Sequence, residues 1–198
     1  LFNPYSSSDN ENRAPHHTLL LASLVSLFND LFAEKEQTVA IGGANEPLYA
    51  PQFVDHKGII ELSSNTTVSL NKHRVYFRHD YIASFLHEVA HWCIAGKERR
   101  KQLDYGYWYA PDNRSASQQA TFEKVEVKPQ ALEKLFSHAC GIEFRVSIDN
   151  FNLEEYDAQP FIEAVHQQSL AFTSGNLPTR ASVFLEGIRH LKGQRKYA

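Results

Sequence analysis

Apolar residues recur at steps of three and four between about residues 18 and 34, at Leu20, Leu21, Leu24, Leu27, Phe28, Leu31 and Phe32. That period is the one-sided stripe of an amphipathic helix. The pattern then shortens: residues 38–41 read as a strand, 42–47 as a loop carrying Gly42, Gly43 and Pro47, and 58–62, 67–70 and 74–77 as short strands separated by turn residues. A helix over about 81–95 follows, with Ile82, Phe85, Leu86, Val89 and Cys93 on one side of its wheel and Gly96 as its stop. Lys97, Arg99, Arg100 and Lys101 then suit the negative end of that helix dipole.

An aromatic loop over 105–109 and a turn over 111–114 lead into a long helical stretch over about 117–140. Pro129 is expected to kink or divide it, because proline offers no N–H to the carbonyl of Val125. Residues 144–148 are a further strand candidate, and helices over about 159–173 and 178–191 end the pattern. This order predicts an α+β fold in which a small sheet packs against helices, as a single domain over residues 17–198 after a flexible N-terminal tail, residues 1–16.

Composition narrows the function classes. The 198 residues include 20 basic and 23 acidic side chains, a net charge of −3, which argues against direct nucleic-acid binding through a broad basic surface. No apolar run reaches the ~18 residues of a membrane span, and the N-terminus lacks a signal-type basic and apolar pairing, so a cytoplasmic protein without membrane contact is expected. Cys93 and Cys140 read as small buried hydrophobes rather than a disulfide framework. A chain of this length folds without a staple, so any metal would serve chemistry.

The chemistry centres on His87-Glu88-Val89-Ala90-His91, an H-E-x-x-H motif. On a helix, residues four apart stand one above the other, so both imidazoles reach one ion, as on a zincin-like metal helix. The two histidines fall opposite the apolar stripe and so face a second layer or a cleft. A catalytic metal takes a third protein ligand and keeps a position open. Trp92-Cys93-Ile94-Ala95-Gly96-Lys97 follows the motif, which removes the extended three-histidine pattern. Glu126 sits at the edge of the apolar stripe of the long helix and is the better third ligand; Glu133, two turns on, is its rival, and Glu123 points toward solvent. Two histidines and a carboxylate serve non-haem iron oxygenases and zinc hydrolases alike. In a hydrolase Glu88 is the general base; in an oxygenase it supports the ligands or moves protons.

The run from His87 to Gly96, then Lys97-x-Arg-Arg, Asp104-x-Gly-Tyr-Trp-Tyr109, Pro111-Asp-x-Arg114 and Phe122-Glu-x-Val-Glu-Val-Lys-Pro-Gln-Ala-Leu132, resembles the bacterial elongation factor P hydroxylase family. The likeness extends from about Asn45-Glu-Pro-x-Tyr49 to Ser147-x-Asp-Asn150. It implies a fold similar to the metal-dependent endoribonucleases of the YbeY family. It further implies hydroxylation of an elongation factor P lysine that already bears a β-lysyl group, by Fe(II) on His87, His91 and Glu126 with dioxygen as cosubstrate. By affinity order alone, zinc or another divalent ion is able to replace iron in purified material. Asn113 stands where the family commonly has glycine, residues 52–72 are longer than in relatives, and the tail before residue 17 has no clear counterpart.

A β-lysylated lysine is an aliphatic arm ending in amines, so its receiver needs aromatic faces and carboxylates. Tyr105, Tyr107, Trp108 and Tyr109 with Asp104 and Glu123 can supply these, Asp104, Tyr107, Trp108 and Glu123 foremost, and His73, His79, His138 and His166 share no ligand spacing. The leading expectation is therefore a monomeric, metal-dependent protein-lysine hydroxylase of the monooxygenase type, with elongation factor P as its partner. A zinc-dependent peptidase or endoribonuclease using Glu88 as base, and a non-catalytic protein with a saturated structural metal, are the alternatives.

Overall fold

The computed structural model describes residues 8–55, 59–62, 70–106, 114–148 and 156–195. Among the described residues, five α-helices and a three-stranded sheet form one α+β domain.

Helix α1 spans Ser8–Phe32, so the backbone turns helical ahead of residue 18, and residues 8–16, expected as tail, belong to the helix. Its stripe of Leu20, Leu21, Leu24, Phe28 and Phe32 is buried. Strand β1 (Thr38–Ala44) pairs in parallel with β3 (His73–Arg78), and β2 (Leu48–Ala50) pairs antiparallel with the other edge of β3, giving the order β1-β3-β2. β2 is missing from the sequence reading because Leu48, Tyr49 and Ala50 are all buried, leaving no polar alternation to betray a strand. Arg74, buried in the central strand, donates to the carbonyls of Lys72 (3.2 Å), Pro51 (3.0 Å) and Val54, which ties down the loop leaving β2. Of the strand expected over 58–62, residue 58 lies outside the described residues and an antiparallel bridge between Leu62 and Ala44 is seen; residues 67–69 of the strand expected over 67–70 also lie outside them.

Helix α2 (Ile82–Ile94) packs against β3 on one side and against α3 (Ala116–Cys140) on the other. It ends at Ala95 in extended backbone rather than on a left-handed Gly96. Arg180 of α5 (Thr179–Arg195) closes that end, donating to the carbonyls of Trp92 (2.7 Å), Cys93 (3.2 Å) and Ala95 (2.6 Å). Helix α3 is framed at both termini. Ser115 and Gln118 form a capping box, and Gly141, left-handed at φ 77°, lets its own N–H and that of Ile142 reach the carbonyls of His138 and Ser137. Between these ends the helix runs through Pro129 without dividing.

Residues 144–148 form no strand. Their backbone is held by side chains of α3 and its approach: Gln130 exchanges two hydrogen bonds with the main chain of Ser147 (2.8 and 3.0 Å), and Gln119 and Arg114 both donate to the carbonyl of Ile148. Helix α4 (Gln159–Ala171), a π-helical turn over Phe172–Asn176 and α5 complete the domain. The core is strongly aromatic: Phe184 meets Phe28, Phe85 and Phe136 edge-on, joining α1, α2, α3 and α5. Cys93 and Cys140 are free thiols. No described helix is long and apolar enough to cross a membrane.

Candidate metal centre

The face of α2 opposite β3 carries His87 and His91, one turn apart, and it looks onto an unusual stripe of α3. Gln119, Glu126, Gln130 and Glu133 are all buried there, and the seven-residue step from 119 to 126 to 133 keeps them on nearly one face. The Nε2 atoms of His87 and His91 stand 3.0 Å apart. Glu126 lies across from them, 3.2 Å from His91 Nε2 through Oε1 and 3.6 Å from His87 Nε2 through Oε2. Glu133 accepts a 2.9 Å hydrogen bond from His87 Nδ1. The two glutamates that compete in the sequence thus divide the work: Glu126 faces the convergence point, and Glu133 grips the far side of one imidazole.

This arrangement fits a cation. In its neutral form, with the Nδ1 proton committed to Glu133, His87 turns an Nε2 lone pair toward His91 and Glu126. Glu126 Oε2 is buried without a hydrogen-bond partner. The three separations of 3.0, 3.2 and 3.6 Å match those between neighbouring ligand positions on an ion with bonds of about 2.1 Å. Among the described residues, His87, His91 and Glu126 are the group able to hold a metal.

The electrostatics of the cluster favour positive charge beside its carboxylates, as a proton on an imidazole or as a bound cation. Burial opposes a charged His87, but the hydrogen bond to Glu133 and the charges of Glu126, Glu133 and Glu88 outweigh it and hold its pKa up at about 10. Burial likewise opposes the Glu126 carboxylate, yet His91 and His87 with the Gln130 amide draw it down to about 2. Glu88 is buried on α2, and desolvation pushes its carboxyl up to about 7 despite the nearby imidazoles.

Asp104 and Tyr105 form a wall near Glu88 and His91. Both adopt left-handed backbone (φ 46° and 57°) and Gly106 continues it at φ 70°. Such backbone costs about 1–3 kcal/mol per non-glycine residue. It swings the Tyr105 ring inward, parallel to Tyr49 at 4.2 Å and to His91 at 6.4 Å between centroids. Arg99 Nη1 donates to the Tyr105 carbonyl at 3.2 Å and holds the turn. Asp104 is partly buried, and that burial raises its carboxyl while the backbone of Tyr49 and the charge of His91 lower it. Tyr105 is one of the aromatics expected from the sequence to line the site, whereas Tyr49 escapes that reading; the inward turn that brings the two rings together depends on positive φ at two residues that composition does not flag.

Of the remaining candidates, Glu123 lies one turn before Glu126 and accepts hydrogen bonds from Tyr156 and from Gln119 (2.9 Å). Tyr107, Trp108 and Tyr109 lie outside the described residues. His73 pairs with Tyr49 and His166 with Lys134, and neither belongs to the cluster of His87, His91 and Glu126.

The model of the family described as elongation factor P hydroxylase matches residues 27–197. The chain is also 41% identical over 168 residues to the elongation factor P lysine hydroxylase of Haemophilus influenzae, covering 85% of this chain and 86% of that protein.

Proposed function

Because the chain belongs to the elongation factor P hydroxylase family, we propose that it hydroxylates a lysine of elongation factor P that already carries a β-lysyl group, at an iron held by His87, His91 and Glu126. The observation that carries this reading is the convergence of three protein ligands, which leaves positions about the ion for other molecules. When bound, iron supplies activation of dioxygen beside the target C–H bond.

The chain's own residues do the rest. Glu133 fixes the tautomer and tilt of His87. Glu88, near neutrality in its pKa, holds or releases a proton beside the centre. Asp104 and Glu88 are the carboxyl groups whose charge reaches Tyr105, and they suit the ammonium groups of the lysyl arm. The buried rings of Tyr49 and Tyr105 close that side to water.

The pKa of Glu88 also favours a second reading, a zinc hydrolase in which this carboxylate activates water. One experiment separates them. Iron-loaded protein incubated with β-lysylated elongation factor P and oxygen should add one oxygen atom, about 16 Da, at the modified lysine, and His87→Ala or Glu126→Ala should abolish the gain. Zinc-supported cleavage of peptide or RNA without that mass gain would replace the first reading with the second.

A further inference from the structure

Beyond the three ligands, His91 also forms part of the wall of a cleft of about 550 Å³ between the end of α2 and the middle of α3. That volume lies in the range of small-molecule sites. Ile94, Val125 and Pro129 give it apolar walls, while Lys97, Arg99, Lys124 and Lys128 surround it with positive charge. Glu98, the carboxylate on its rim, is paired with Lys101 at 2.7 Å. In a chain of net charge −3, four cations around one cleft are a local reversal.

The charge divides the approaches to the centre. An arm ending in ammonium groups is repelled from the lysine-lined cleft and is drawn instead to the side of Glu88 and Asp104. Hydroxylation by dioxygen also has a balance to close: R–H + O2 + 2 H+ + 2 e− gives R–OH + H2O, so a two-electron donor must reach the site. Resting on the hydroxylase reading above, we propose that this cleft binds a small anionic organic donor of two electrons. Two sources share that chemistry. An enediol anion delivers two electrons and is oxidised to the diketone, the second oxygen atom leaving as water. A 2-oxo acid takes the second oxygen atom itself, its C1–C2 bond breaking to release carbon dioxide and leave a carboxylate one carbon shorter.

The test uses the full chain loaded with zinc, which binds at the centre without redox turnover, and calorimetric titration with ascorbate and with 2-oxoglutarate. Saturable binding of one of them is expected, weakened about tenfold or more in the Lys124→Gln/Lys128→Gln double variant, since two cations facing one anion are removed. Both lysines are exposed, so metal content and helical circular dichroism should stay at the parent level, and Lys97→Gln provides a second variant on the opposite wall. Failure of both compounds to saturate, or affinity unchanged in the variants, overturns the proposal. So does a double variant that loses elongation factor P binding while neither anion binds the parent, which would assign the cleft to an acidic protein face. Peroxide tests the underlying reading separately, because R–H + H2O2 gives R–OH + H2O without a donor. A 16 Da gain with peroxide but no anion binding retains the hydroxylase and removes the donor site; anion binding with no gain from any oxidant removes the hydroxylase reading and the donor role together.

Discussion

Glu133 decides which nitrogen of His87 faces the centre. Replacing it with glutamine keeps a partner for Nδ1 but removes the charge, and substitutions of this kind weaken metal binding about 10–100-fold. A competitive zinc titration of Glu133→Gln should show that loss with folding intact. The same cluster sets the acid–base behaviour of the metal-free chain. His87 is raised to about 10, so its contribution is complete below the ordinary imidazole value of 6.5 and fades as pH climbs toward 10. Glu126 is lowered to about 2, so its contribution is complete above 4.5 and fades as pH falls toward 2. Together they are strongest between those ordinary values. The Tm of the chelated chain should therefore fall as pH is raised from about 6.5 to about 10, with His87→Gln flattening the slope. Glu88 acts in the opposite sense to a paired carboxylate. Its pKa is raised to about 7, so ionising it between 4.5 and 7 costs stability. At about pH 8 the Glu88→Gln variant of the chelated chain should be more stable than the parent by roughly 2–3 kcal/mol in urea unfolding.

The elements that present these residues depend on contacts far along the chain. The terminal carbonyls of α2 are satisfied by Arg180, whose guanidinium also lies over the Trp92 ring at 4.6 Å. Arg180→Ala should cost about 2–4 kcal/mol in denaturant unfolding, because it strands buried carbonyls and removes a charge-assisted fork. It should also lower metal affinity, since His91 sits in the last turn of that helix. The local period predicts α2 to within a residue and the core of α3 well. It fails where backbone partners come from elsewhere. Residues 144–148 have strand-like alternation, but Gln130, Gln119 and Arg114 take the hydrogen bonds that a neighbouring strand would have made. Pro129 does not split α3, because both ends are capped and Ala131, Leu132 and Phe136 anchor the half beyond it in the core.

At the scale of the molecule, the cluster of His87, His91 and Glu126 rests on aromatic packing that joins its two helices. Phe184 of α5 touches rings from α1, α2 and α3, so it sets the spacing between the two helices that carry His87, His91 and Glu126. Phe184→Ala should destabilise the domain by about 3–5 kcal/mol through a cavity at this junction. Metal affinity should fall with it, because His87 and Glu126 belong to different helices.

The chain by itself determined the amphipathic helices, the pair of imidazoles four residues apart and the candidacy of Glu126, because each follows from a helical period that is local in sequence. The division of labour between Glu126 and Glu133, the inward turn of Tyr105 and the basic cleft beside His91 were decided only by the tertiary structure. Each of these depends on how α3 and the loop after α2 pack against α2, and contacts between residues some tens of positions apart leave no mark in a local period.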